Sequence, residues 1–253
     1  MPMPDYNQLD EAKRIVDKAR QRGVLLRVLG GLAVKYYCPS TSDRALNREC
    51  ADMDLMSRND QKVKELFKDL GYTADEFFNM TQGDARLVFM DPQEKKVEIF
   101  LGVFDMCHKF DFRDRLTINE FAISITDLLM TKLQVVELTE KDIKDIIAML
   151  LDYQIGQTDE GKTINGKYIA DICSKKWGIY KTFTNTLKAT LLQLEGYKLG
   201  PEKQEIVSSR IKKLLDEIEA APKSISWKSR AKIGERSVWY NLPEKPLVPI
   251  QVK

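Results

Sequence analysis

The sequence predicts an α+β fold: a mixed sheet with flanking helices, followed by a mainly helical C-terminal domain. Three observations predict it. Short β-rich runs alternate with amphipathic helical runs up to about residue 120; a glycine pair stands where the first strand gives way to a helix; and from Ser124 onward apolar residues recur at three- and four-residue spacing. The boundaries read as 1–120 for the sheet domain, 121–222 for the helical domain and 223–253 for an extended C-terminal arm.

Taken in order, "LDEAKRIVDKARQR" has helical apolar spacing and stops at Gly23. "VLLRVL" reads as a strand, Gly30 and Gly31 as its terminating turn, and "LAVKYYC" as the next helix. After the turn-prone "PSTSDRALNRE" comes a strand, "ADMDLM", and then an amphipathic helix, "DQKVKELFKDLGY", closed by Gly71. "ARLVFMD" and "KKVEIFLGVF", separated by "PQE", read as a hairpin. The helical part follows as "ISITDLLMTKLQVVE", "EKDIKDIIAMLLDY", "KYIADICSKKWGIYKTFTNTLKATLLQLEGY" with a break expected at Gly178, and "GPEKQEIVSSRIKKLLDEIEAA". Trp227, Trp239 and Tyr240 in the arm predict that it docks on the body.

With 253 residues, 43% of them hydrophobic, the chain can bury a substantial core. No apolar run reaches the roughly twenty residues of a bilayer span, and the N-terminal stretch lacks the blocks of a signal peptide; a cytoplasmic protein without membrane partners is expected. Cys38, Cys50, Cys107 and Cys173 are scattered and His108 is the only histidine, which argues against structural zinc and for reduced thiols. Residues 1–150 carry 22 Lys and Arg against 26 Asp and Glu, leaving 18 against 12 for the rest. A basic second half would suit an anionic substrate such as nucleic acid, but charge alone favours a solvated lysine-rich surface.

The chemistry concentrates in "LRVLGGLAVKYY" and "CADMDLMSRND". Asp52 and Asp54 are two apart, so in a strand they face the same way with Cβ atoms about 6.6 Å apart. Such a pair can straddle two Mg²⁺ ions, which stand roughly 3.5–4 Å apart in phosphoryl-transfer sites. Glu98, between Val97 and Ile99, becomes the third carboxylate if its strand pairs beside the first. Gly30 and Gly31 at a helix N-terminus let backbone N–H groups approach a triphosphate.

This pattern resembles the nucleotidyltransferase superfamily that includes DNA polymerase β. Leu29-Gly30-Gly31, Asp52-Met53-Asp54 and Val97-Glu98-Ile99 carry the resemblance over residues 20–105, and "SITDLLMTKLQVVELTEKDIKDIIAMLL" is similar to the helical segment of bacterial and archaeal members related to abortive-infection toxins. The resemblance implies that Asp52 and Asp54 ligate metal, that Glu98 is the third ligand or the base, and that Lys132 partners the phosphates. It further implies transfer of a nucleoside monophosphate from an NTP such as ATP, with Mg²⁺ as cofactor, to an acceptor that the sequence does not identify: an RNA or a small molecule. Gly31 stands where many members have serine, the loop before Asp52 is long, and Glu98 replaces the commoner aspartate.

Each residue also has a plainer reading. The acids fit a solvated edge strand, the glycines a simple turn, Glu98 a pair with Lys95 or Lys96, and Lys132 a surface lysine. Arg86 either reaches the site or neutralises Asp84; Arg44 and Arg48 either meet the acceptor or are solvated. His108 reads as a hydrogen-bonded structural residue, Asp142 and Asp145 as local capping or pairing residues, and Trp177 and Trp239 as core filler. The rival functions are a catalytically silent, antitoxin-like or regulatory binding module on the same fold, and a small-molecule adenylyltransferase.

Overall fold

A computed structural model describes residues 7–58 and 61–242. Its first helix, α1 (Gln8–Gln21), is capped by the Asn7 side chain, which accepts from the Leu9 N–H, and buries Ala12, Ile15, Val16 and Ala19 at the spacing read from the sequence. The chain then forms β1 (Leu26–Leu29), α2 (Gly30–Tyr37), β2 (Met53–Ser57), α3 (Gln61–Asp69), β3 (Thr73–Ala74), α4 (Glu76–Gln82), β4 (Arg86–Met90) and β5 (Lys96–Leu101). A small hairpin of β6 (Val103–Asp105) and β7 (Lys109–Asp111) leads to the helical part. That part holds α5 (Ile125–Leu133), α6 (Glu140–Asp152), the short paired strands β8 (Gln154–Gly156) and β9 (Thr163–Asn165), α7 (Gly166–Lys175), α8 (Trp177–Gln193), α9 (Pro201–Ala220) and α10 (Ile225–Ile233).

The main sheet is mixed, in the order β1-β2-β5-β4-β3. β1 runs antiparallel to β2, β2 parallel to β5, and β5 antiparallel to β4. Met53, Leu55, Val97, Ile99, Leu87 and Phe89 alternate onto one buried face, where the Phe67 ring of α3 stacks on Phe89 at 4.8 Å. Asp54, Glu98 and Arg86 alternate onto the other. The outer edge of β1 is closed by residues 121–123: Val28 N–H donates to the Phe121 carbonyl at 2.9 Å, and Ile123 N–H donates to the Val28 carbonyl at 3.0 Å. One apolar core extends from the sheet into α5–α9.

Several expectations need correction. β2 starts at Met53, so Asp52 lies just ahead of the strand rather than in it. The glycine pair forms the first residues of α2 instead of a turn before it. "KKVEIFLGVF" is two strands, because Gly102 adopts φ +72° and bends the chain where a Cβ would strike Arg113. The helix expected to break at Gly178 breaks at Lys176, whose extended backbone separates α7 from α8. Gly178 serves close packing instead, since a Cβ there would come within 2.8 Å of the Trp239 carbonyl oxygen. The expected extended arm contains α10, with Ser224 capping the Trp227 N–H. Its docking is as expected over the described residues: Trp239 packs edge-on against Trp177 at 5.7 Å and its indole N–H donates to Thr182. Asp60 and residues 243–253, parts of the α3 and arm readings, lie outside the described residues.

Candidate active site

Asp54 and Glu98 are opposite partners in the parallel β2–β5 pair, so their side chains leave the same face of the sheet side by side. Asp54 is also the antiparallel partner of Leu29, which places it against the start of α2. Gly30 makes that approach possible: it adopts φ +66°, and a Cβ on it would collide with the Asp54 carboxylate. The head of α2 and Asp54 therefore touch. Burial first, and then the Glu98 charge, push the half-buried Asp54 carboxyl up to about 6; Asp52 adds to the shift while Lys132 opposes it. Asp52 itself is exposed at the mouth of this cluster.

The N-terminus of α2 carries no side-chain cap and no acid in its first turn, leaving backbone donors and a positive helix end facing the cluster. Gly31 is covered by Arg48, whose guanidinium occupies the place where a Cβ would go. Arg48 is held in turn by Asp145 on α6, with Nε donating to Oδ1 at 2.8 Å and Nη2 to Oδ2 at 2.5 Å. Asp145 also binds Lys132 of α5, Nζ to Oδ2 at 2.9 Å, and Asp142 lies 3.4 Å from the same ammonium. Burial alone would lower the Lys132 pKa, but Asp145 and Asp142 outweigh it and hold it above its ordinary value. Arg48, beside Gly31, and Lys132 thus share one buried carboxylate.

Glu98 is engaged differently. Arg86 Nη1 lies 2.6 Å from Oε1 and Lys96 Nζ lies 2.8 Å from Oε2. Arg86 accordingly pairs with Glu98 rather than with Asp84, and the Lys96 alternative raised by the sequence is present. A divalent cation would suit the hard oxygen donors of Asp52 and Asp54, whereas the uncapped end of α2 suits an anion. Glu98 is not free to join them as it stands, and among the described residues no group of three or more His, Cys, Asp or Glu side chains is assembled to hold a metal ion.

The remaining sequence candidates fall on their plainer readings. Asp142 forms a capping box with Thr139. His108 is buried, with Nε2 at 2.8 Å from the Thr182 hydroxyl, and burial followed by the Lys176 charge pushes it down to about 4. Trp177 is buried beneath Arg230 and Trp239. Arg44 is exposed. The residue that sequence reasoning undervalued is Asp145. Its signal was a carboxylate within the apolar set Ile143, Ile146, Ile147, Met149 and Leu150, which bury the same helix.

No family model and no curated protein matches the chain. Among solved structures, it is similar to JHP933 from Helicobacter pylori, with 12% identity, 92% of this chain and 99% of that one covered, and a TM-score of 0.42. It is similar to an antigenic nucleotidyltransferase-like protein from Paracoccidioides brasiliensis, with 14% identity, 89% and 98% coverage and a TM-score of 0.41. It is also similar to the antibiotic-resistance factor ANT(2'')-Ia, with 12% identity, 84% and 95% coverage and a TM-score of 0.36. Similarity at this level assigns no activity.

Proposed function

We propose that the protein is a divalent-metal-dependent nucleotidyltransferase that moves a nucleoside monophosphate from an NTP to a hydroxyl or phosphate acceptor, releasing pyrophosphate. The observation that carries this reading is the contact of Gly30, at the head of α2, with Asp54, which stands beside Glu98. Backbone N–H groups that suit an anion meet a carboxylate that would suit a cation at one point, which supports a metal–triphosphate substrate.

Asp52 and Asp54 would hold Mg²⁺, and the Gly30–Gly31 backbone would receive phosphate oxygens at the head of α2. Arg48 and Lys132 would add positive charge on the same side, their direction set by Asp145. When bound, the metal would neutralise phosphate charge during in-line displacement. Glu98 would take the acceptor proton or complete the cation shell once released from its partners. The acceptor is proposed to be an RNA or a small molecule. No helix among the described residues is long and apolar enough to cross a membrane.

The pairing of both Glu98 oxygens favours a second reading, a catalytically silent nucleotide-binding module. Incubating the protein with labelled NTPs, Mg²⁺ and total RNA or a small-molecule acceptor panel separates the two. A labelled product that disappears in Asp54→Asn supports transfer; nucleotide binding without product supports the silent module.

A further inference from the structure

Glu98 is 9% exposed and yet carries a cation on each oxygen. Of the two, Arg86 is the better fixed. Its guanidinium stands 5.3 Å from the Phe78 ring centroid of α4 and 5.6 Å from that of Phe100 on β5, and its Nη1 lies 3.8 Å from Met106 Sδ. Lys96 is the more exposed partner, at 39% of its side chain against 27% for Arg86.

A divalent ion entering at Asp54 would meet two positive side chains on the neighbouring carboxylate, and like charges at this range in a half-buried site oppose each other strongly. Any gain from Glu98 as a ligand would have to displace these partners first. A triphosphate changes that balance, because a planar guanidinium pairs with phosphate oxygens at least as well as with a carboxylate.

We propose, resting on the metal-dependent reading above, that Arg86, backed by Lys96, is a built-in counter-ion that competes with the divalent cation for Glu98. An anionic nucleotide relieves that competition by offering the guanidinium another partner. Metal and nucleotide then bind cooperatively through one arginine, and linkage makes the effect reciprocal. The site stays charge-balanced when empty and takes up metal together with its nucleotide.

The test is a Mn²⁺ titration, followed by electron paramagnetic resonance or calorimetry, with and without a non-hydrolysable ATP analogue. In the wild type the analogue should tighten Mn²⁺ binding by about tenfold, a typical coupling between linked ligands. Arg86→Gln should bind Mn²⁺ alone about tenfold more tightly than the wild type and gain little from the analogue. A merely structural role for Arg86 would not raise metal affinity. Lys96→Gln should shift affinity in the same direction by less, and it decides the matter if Arg86→Gln does not fold. Unchanged Mn²⁺ affinity in the folded variants overturns the competition. Asp54→Asn tells that failure from failure of the metal reading itself: if Mn²⁺ binding survives Asp54→Asn undiminished, the metal site is not here.

Discussion

Asp54 on β2 and Glu98 on β5 are direct neighbours across a parallel strand pair. Among the described residues, Glu98 and not Asp54 has cations on its oxygens; burial, and then the Glu98 charge, push the Asp54 carboxyl up to about 6 from an ordinary value near 3.8. Between these values the folded protein keeps a proton that the unfolded chain has released. The stability associated with it is present at low pH and lost as pH rises to about 6.

Asp54→Asn is therefore expected to stabilise the metal-free protein at pH 7.5, by on the order of 2 kcal/mol, with the gain vanishing below about pH 4. Thermal unfolding in the presence of a chelator, followed across this range, checks it. An Asn variant no more stable than the wild type at pH 7.5 would show that the Asp54 charge is not strained.

Gly30→Ala adds a methyl group against the Asp54 carboxylate at a backbone position with φ +66°, and should cost about 1–3 kcal/mol. Gly31→Ser meets only the movable end of Arg48, and the smaller loss should come through a loosened Arg48–Asp145 pair. Urea midpoints of the two variants should fall in that order.

Asp145→Asn removes the shared partner of Arg48 and Lys132 while both remain largely buried. A loss of about 3 kcal/mol is expected, as for breaking other buried pairs, together with weaker nucleotide binding in a fluorescence or calorimetric assay. Asp142→Asn disturbs chiefly the capping box of α6 and should cost about 1 kcal/mol. Equal effects from the two would refute Asp145 as the organising acid.

His108 should act on stability with the opposite pH slope to Asp54. Its folded pKa of about 4 lies below the ordinary 6.5, so stability is full above about pH 6.5 and falls as acid charges the unfolded chain first. His108→Gln, which can still hydrogen-bond to Thr182, should flatten the profile between these values in equilibrium denaturation.

Much of this fold was legible in short-range periodicity. The α1 and α6 stripes and the β4–β5 hairpin follow the apolar spacing, and the Asp54–Glu98 meeting follows from a third acid in a strand that pairs beside the first. What escaped the sequence depends on partners far along the chain. Arg48 and Asp145 are 97 residues apart, so nothing local marks the arginine as anything but a loop residue. Gly178 looked like a helix breaker because its reason, the Trp239 backbone, lies in another segment. Helix α4 was missed since its seven residues, "EFFNMTQ", bury none of their side chains and leave no stripe to read.

The closure of β1 by residues 121–123 bears on how the protein behaves when crowded. At the opposite margin of the sheet β3 is only two residues long. Among the described residues, a visiting strand from another molecule thus finds neither margin of the main sheet offering a long ladder, and recruitment at the β1 margin would first require peeling away the link between the sheet and α5.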